Sequence, residues 1–173
     1  RATRCNLASD LMSVFLLATL DTKGPDASFL RERLRALEVA VTVVDTGCIG
    51  TPAFEADIAR EKVFTAAGTT LADLQAKNDR GTAVSMAQRG AVAIVQEAHR
   101  RGELDAVISI GGSAGTTIGT AAMRALPMGV PKLMVSTLAS GQVRPYVGDK
   151  DILMLNSIVD IAGINRISRL ILS

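Results

Sequence analysis

The 173-residue sequence contains no tryptophan, and aromatic residues make up only 3% of it. Proteins that hold single-stranded nucleic acids stack bases on aromatic rings, and nucleic-acid-binding domains in general carry a marked basic excess. The formal net charge of +2 provides no such excess. The composition therefore argues against a nucleic-acid-binding groove.

Cysteine and histidine are also scarce, since Cys5, Cys48 and His99 are their only representatives. Two cysteines form neither a disulfide framework nor a metal-binding spacing, which is typical of a reducing compartment, so we expect a cytoplasmic protein. Cys48 has no histidine near it in sequence and is expected to be an inert thiol. His99 lies among charged residues late in a long helical pattern, which favours a solvated surface position over catalysis. The aspartates match no ligand spacing, so no metal site is predicted from side chains.

Long apolar runs are absent as well. The run 14–20 leads into charged residues rather than a small-residue cleavage site, so it does not indicate a signal peptide. No stretch is long enough to cross a bilayer, so no membrane association is expected. Met12 is a candidate natural start. We therefore interpret residues 1–11 as an extension or an expression-vector remnant, and residues 12–173 as one folded domain.

Small aliphatic residues dominate what remains, and 48% of the sequence is hydrophobic. Short apolar runs alternate with helical patterns, which predicts an α/β fold, a Rossmann-like parallel sheet with helices on both faces. The expected strands are 14–20, 39–44, 105–110, 132–136 and 152–155. The expected helices are 25–37, with Pro25 in its first turn, 61–67, 71–77, 82–101, 118–126 and 158–172. Gly102 is expected to end the long fourth helix.

The third strand runs directly into Gly111-Gly112-Ser113-Ala114-Gly115-Thr116, the glycine loop, which opens a helix. Backbone N–H groups at the positive end of a helix form an anion site, and hydroxyl side chains add donors. The alternative is a tight turn that only allows close packing. The loop lacks the lysine of the Walker A motif and the spacing of the dinucleotide fingerprint. The pattern therefore predicts a phosphate site without naming the phosphate compound.

Further polar loops are expected at the same edge, because ligands of open parallel sheets collect outside the carboxyl ends of the strands. Lys23 is expected to neutralise a phosphate, and Asp45 is a candidate for a ribose hydroxyl or a metal-bound water. For each of these side chains a helix-capping role is the alternative. Besides the glycine loop, the predicted binding residues are Thr22, Lys23, Thr46, Ser136 and Ser140.

Several sequence blocks occur in the same order in one known family. They include Leu20-Asp21-Thr22-Lys23-Gly24, Asn78-Asp79-Arg80-Gly81, Ile110-Gly111-Gly112-Ser113, Met123-Arg124-Ala125-Leu126-Pro127 and Val159-Asp160-Ile161-Ala162-Gly163. From Met12 to its end the chain resembles the ATP-binding N-terminal domain of the tomato mosaic virus resistance protein family, which has uncharacterised bacterial members. The resemblance implies a Rossmann-like domain that binds ATP, with or without Mg²⁺, at the glycine loop, forms a homodimer and precedes a TIM-barrel-like domain. Ala114 stands where the family usually has glycine, and a positive φ there would strain the loop.

The sequence thus predicts the ATP-binding domain of a two-domain cytoplasmic protein. The alternative is a partner-binding or dimerisation module in which the nucleotide is only a structural ligand. A hydrolase or ligase completed by the second domain stays open, because the sequence shows no full set of phosphoryl-transfer residues. A third hypothesis is that the glycine loop corresponds to the Gly-Gly-Asp-Gly-Thr turn of NAD kinases and phosphofructokinases. Ser113 and Ala114 stand in place of the acidic residue of that turn, which argues against it.

Overall fold

The computed structural model describes residues 12–77, 79–157 and 164–173. Within these residues one sheet of five parallel strands has helices packed on both faces, which confirms the predicted α/β fold. The strands are β1 (Ser13–Ala18), β2 (Ala40–Asp45), β3 (Ala106–Gly111), β4 (Lys132–Ser136) and β5 (Leu153–Asn156). The helices are α1 (Leu20–Ala36), α2 (Arg60–Ala66), α3 (Leu71–Lys77), α4 (Arg80–Arg101), α5 (Ser113–Arg124), α6 (Arg144–Val147) and α7 (Arg166–Ile171). None of these helices has both the length and the apolar character needed to cross a bilayer.

The strand order is β2-β1-β3-β4-β5, so β1 and β3 are neighbours in the middle of the sheet. The connection that leaves β1 leads to β2 on one side, whereas the connection that leaves β3 leads to β4 on the other. The carboxyl ends of β1 and β3 therefore form the topological switch point, where ligands of open parallel sheets bind. The glycine loop begins at this point, because Gly111 is the last residue of β3.

Alternate residues of the strands supply two separate cores. Phe15 and Leu17 of β1 belong to the core that also contains the buried residues of α2, α4 and α5. Leu16 and Ala18 face the opposite core with residues of α1 and Leu172, just after α7. Because both faces of β1 are buried, its sequence is continuously apolar rather than alternating.

Helix α4 shows how local sequence sets the position of an element. Its N-cap is Asp79, whose carboxylate accepts hydrogen bonds from the Thr82 N–H at 3.1 Å and from the Thr82 hydroxyl. These hydrogen bonds lower the pKa of Asp79. At the other end Gly102 adopts φ 71°, which confirms its predicted role as a C-terminal stop. The helix begins two residues before the predicted start at position 82, because the cap lies at Asp79.

The prediction of a polar loop between β1 and the first helix is wrong. Helix α1 begins at Leu20 and includes the polar residues that follow it. The Thr19 carbonyl accepts hydrogen bonds from the N–H groups of Thr22 and Lys23. Lys23 then departs from helical geometry with φ −121° and ψ 21°. Pro25 accounts for the kink, since its ring removes one N–H and crowds the preceding turn.

The C-terminal helix is shorter than the predicted 158–172. Among the described residues it begins at Arg166, and residues 164–165 are not helical. The Asn165 side chain accepts a hydrogen bond from the Ser168 N–H at 3.0 Å, which caps the helix start. The remaining part of that prediction, residues 158–163, lies outside the described residues, as do residues 1–11 and Asn78.

Replacing Gly90 by alanine is expected to destabilise the protein by about 2 kcal/mol, as overpacking in a core typically does. A Cβ atom at this position in α4 would lie 1.9 Å from the Val63 carbonyl oxygen of α2, so the two helices would have to separate. This cost exceeds the gain of about 1 kcal/mol in helix propensity. Urea denaturation of Gly90→Ala measures the effect, and Ser85→Ala, at an exposed position of the same helix, is the control. Equal midpoints for the two variants would show that the helices do not approach this closely.

Candidate functional site

A cavity of about 290 Å³ lies at the switch point. The first turns of three helices meet around it, together with the loop that follows β2. Its wall consists of Thr19, Asp21, Thr22, Lys23, Cys48, Ile49, Arg80, Val84, Gly112, Ser113, Ala114, Gly115 and Ile118. We call it the switch-point cavity.

Helix α5 presents its N-terminus to this cavity through Ser113, Ala114 and Gly115. The first N–H groups of a helix have no acceptor within the helix. In α5 the first N–H that bonds back is that of Thr116, which donates to the Gly112 carbonyl at 2.8 Å. The three preceding N–H groups and the positive end of the helix dipole therefore favour an anion here.

Two cationic side chains line the same cavity. Lys23 is half-buried at the kink of α1, and Arg80 is exposed at the first position of α4. The carboxylate of Asp21 also lies in the wall, but it accepts hydrogen bonds from the N–H groups of Ile49 and Gly50 at 3.0 and 3.1 Å. The Asp21 charge thus holds the loop after β2, while Lys23 and Arg80 contribute two positive charges to the wall.

The glycine loop needs glycine at its first position for a steric reason. A Cβ atom on Gly111 would lie 2.6 Å from the Cα of Gly115, so the end of β3 and the first turn of α5 touch backbone to backbone. Ala114 is an ordinary helical residue of α5, and its φ is not positive. The expected strain at Ala114 is therefore absent, and its methyl group forms part of the cavity wall.

The predicted site residues fall into two groups, those in the cavity wall and those outside it, and Gly111 at the end of β3 belongs to the second group. Six of them line the switch-point cavity, namely Thr22, Lys23, Gly112, Ser113, Ala114 and Gly115. Thr116 and Ser136 are fully buried, with their hydroxyl oxygens 2.6 Å apart, and the Thr116 hydroxyl donates to the Gly112 carbonyl at 2.7 Å. These two side chains connect the end of β4 to the first turn of α5 and do not form part of the cavity wall.

Two further predicted residues also lie outside the cavity wall. Thr46 is buried, and its N–H donates to the Ala18 carbonyl at 2.9 Å, which extends the pairing of β1 and β2. Ser140 is exposed in the loop that follows β4. The structure thus brings together the residues of α1 and α5, whereas the hydroxyl residues after β2 and β4 serve the frame or face solvent.

The expectation that Asp45 contacts a ribose hydroxyl or a metal-bound water is wrong. Its carboxylate is buried and accepts hydrogen bonds from the N–H groups of Leu20 and Gly47 at 3.1 and 2.8 Å. Arg60 also donates to it through Nε at 2.7 Å. The Arg60 Nη1 donates to the Gly50 carbonyl at 2.6 Å and lies 3.9 Å from Asp21. This buried cluster fixes the loop after β2 against the starts of α1 and α2.

Arg80 is the main cavity residue that the site prediction did not include. It lies in the block Asn78-Asp79-Arg80-Gly81, which carried part of the family resemblance, and that block was the available signal. No sequence pattern pointed to Val84 and Ile118, which form the apolar part of the wall. Among the described residues no three acidic, histidine or cysteine side chains come together as a metal site.

Cys48 is expected to react slowly with alkylating agents at neutral pH. Burial, together with the nearby Asp21 and Asp45 charges, raises the pKa of its thiol to about 11. Because only the thiolate is nucleophilic, the reaction rate should keep rising up to about pH 11 instead of levelling near the pKa of about 8.5 of a free thiol. Iodoacetamide labelling across pH, read on the peptide that contains Cys48, measures this, with the denatured protein as control. Equal profiles for folded and denatured protein would contradict the expected shift.

Comparison with known proteins gives a consistent result. Residues 12–173 match the N-terminal domain of the uncharacterised protein family UPF0261. A UPF0261 protein of Clostridium tetani is 44% identical over 160 residues, which cover 92% of this chain and 40% of the relative. A UPF0261 protein of Mesorhizobium japonicum is 41% identical over 159 residues, or 92% of this chain and 39% of the relative. The ToMV resistance protein Tm-1(GCR237) of Solanum lycopersicum is 33% identical over 180 residues, 92% of this chain and 23% of that protein. The chain thus spans about two fifths of the length of these bacterial relatives.

Proposed function

The chain belongs to the UPF0261 family, and we propose that this domain binds ATP by its phosphates in the switch-point cavity. The observation that supports this most strongly is the meeting of the α5 N-terminus with Lys23 and Arg80 around one cavity at the switch point. Each of these features favours a bound anion by itself. Together they fit a ligand that carries several negative charges. A triphosphate is such a ligand.

The donors in the wall suit phosphate oxygens. The N–H groups of Ser113, Ala114 and Gly115 offer fixed donors, and the hydroxyl of Ser113 adds a donor that can rotate. The Thr22 hydroxyl lies 2.7 Å from that of Thr19, so a ligand would compete with this hydrogen bond. Lys23 comes from α1 and Arg80 from α4, so their charges reach the ligand from separate elements. An arginine can also grip a phosphate in bidentate fashion.

The rest of the cavity wall suits a less polar part of the ligand. Val84, Ile118 and the exposed Ile49 provide apolar surface beside the phosphate donors. In the proposed mode the nucleoside contacts these side chains. Mg²⁺ would enter with the nucleotide and be held mainly by phosphate oxygens and water, as is common for this ion.

Binding is the activity proposed for this domain. The homodimer and the TIM-barrel-like second domain stay predictions from the resemblance. The cytoplasmic location stays a prediction from the cysteine content, and no reaction of the whole protein is proposed.

Replacing either cation of the cavity should weaken ATP binding. A hydrogen bond to a charged group contributes about 1.5–3 kcal/mol, so Lys23→Met and Arg80→Met should each raise the Kd by about tenfold or more. Lys62→Met removes an exposed cation from α2, outside the cavity wall, and is the control. Calorimetric titration with ATP at low salt gives the three affinities.

The double variant should bind more weakly than either single variant, because both cations would contact the same ligand. A parent-like Kd in both single variants would mean that the phosphates bind elsewhere. An equal loss of affinity in Lys62→Met would mean that the net charge of the protein, and not this cavity, determines the affinity.

A further inference from the structure

Among the described residues, one face of the sheet is covered over β3, β4 and β5 only near the carboxyl ends of these strands. Leu172, just after α7, packs there with Ile110 of β3 and Val135 of β4. Nearer the amino ends of the same strands an open groove of about 460 Å³ crosses the sheet. Its wall is largely apolar and includes Met12, Val14, Leu34, Ile108, Leu133 and Leu153. We call it the sheet groove.

The sheet groove continues onto the edge strand β5. Leu153 and Leu155 are paired in register with Leu133 and Val135 of β4, on the face that carries the groove. They remain 67% and 37% exposed. Parallel sheets are normally buried on both faces, and contiguous exposed apolar surface marks an interaction site. This part of the face, at the amino ends of β3 and β4 and along β5, therefore lacks a covering element within the described residues.

Lys132 and Asp151, the charged pair at the border of the sheet groove, already have hydrogen-bond partners. Lys132 donates through Nζ to the carbonyls of Pro127 and Val130 and to the Asp151 carboxylate, all within 2.8 Å. The Lys132 ammonium and the Gly129 N–H lower the pKa of Asp151 to about 2. The groove thus presents no unsatisfied charge and fits an apolar occupant.

We infer that the part of the full-length protein that follows Ser173 docks in the sheet groove and against Leu153 and Leu155 of β5. Two facts favour this occupant over a second copy of the chain. The bacterial relatives are about two and a half times as long as the matched region, so they contain ample further chain. The last helix α7 lies on this same face, since Leu172 just after it belongs to the core there, so the chain leaves the domain on the face that carries the groove.

A second groove, of about 410 Å³, lies on the opposite face between α2 and α4 and is a weaker candidate. Its border carries the charged side chains of Lys62, Glu97, Arg101 and Glu103. It also lies on the face away from α7. Its position provides the matched control for the test.

Photo-crosslinking of the full-length protein tests the inference. A photoreactive phenylalanine analogue is placed at the position of Leu153, in a second variant at Leu155, and in the control at Lys62. After irradiation, peptide mass spectrometry should map the crosslinks from positions 153 and 155 to residues beyond Ser173 of the same chain. Their yield should be several-fold higher than that from position 62.

Three outcomes would overturn the inference. Crosslinks within residues 1–173 would mean that this domain covers its own groove. A product of twice the chain mass would mean that a second copy occupies it. Reaction with water only, at both leucine positions, would mean that the groove is open in the full-length protein. None of these outcomes bears on the nucleotide site, which lies at the opposite ends of the strands.

Discussion

Ser113→Glu is expected to weaken ATP binding strongly and to leave the fold at least as stable as that of the parent. Ser113 is the exposed first residue of α5 and lines the switch-point cavity. A carboxylate there would stand beside the proposed phosphates, and two like charges about 4 Å apart near a protein surface repel by about 4 kcal/mol. We expect the Kd to rise by about 100-fold or more. The same carboxylate favours the positive end of the helix by about 0.3–1 kcal/mol.

The opposite signs of these two effects separate binding from folding. In the Ser113→Gln variant the new side chain has the size of glutamate but carries no charge. This variant should lose far less affinity for ATP than Ser113→Glu. Calorimetric titration gives the affinities, and urea denaturation gives the free energies of unfolding. If Ser113→Glu binds ATP with the affinity of the parent, the α5 N-terminus does not contact the phosphates, whatever the stability of the variant.

Arg60→Met is expected to cost about 3–5 kcal/mol of unfolding free energy, as breaking a buried ion pair does. Arg60 is only 3% exposed, and its guanidinium compensates the buried carboxylate of Asp45 and, more distantly, that of Asp21. Methionine would leave the Asp45 charge without its cation in a dry environment. The loop that carries Cys48 and Ile49 would also lose its anchor at Gly50, so ATP affinity should fall as well.

An exposed ion pair gives the matched comparison. Arg100 pairs with Glu97 at 2.6 Å, yet the Arg100 side chain is 71% exposed. Pairs of this kind contribute at most about 1 kcal/mol, so Arg100→Met should change the urea midpoint little. A small loss in Arg60→Met, similar to that in Arg100→Met, would mean that water enters the cluster and screens the Asp45 charge.

The fold could be predicted because its signals are local. Continuous apolar runs flanked by helical patterns fix the strands, and Gly102 marks a helix end by its left-handed conformation. The glycine loop was recognisable for the same reason, since Gly111, Ser113 and Gly115 are neighbours in sequence and meet in one turn. The boundary of α1 was not recognisable, because a kink at Lys23 allows one helix to continue through a polar, proline-containing segment.

The frame of the site could not be predicted, because it depends on pairs that are distant in sequence. Asp45 looked like a ligand residue at the end of a strand, and only the fold places Arg60 against it. Thr116 and Ser136 carry hydroxyls at the expected edge, but the close contact of α5 with β4 turns them towards each other. A single sequence does not specify which hydroxyls face the cavity and which bond inside.

Titration of the purified protein with ATP and, in parallel, with adenosine tests the central claim most directly. If the cavity holds phosphates, ATP should bind saturably, more weakly as salt screens the charges, and adenosine should produce no measurable heat. Absence of heat and of any thermal shift at millimolar ATP, or equal binding of ATP and adenosine, would contradict the claim that this domain holds nucleotides by their phosphates.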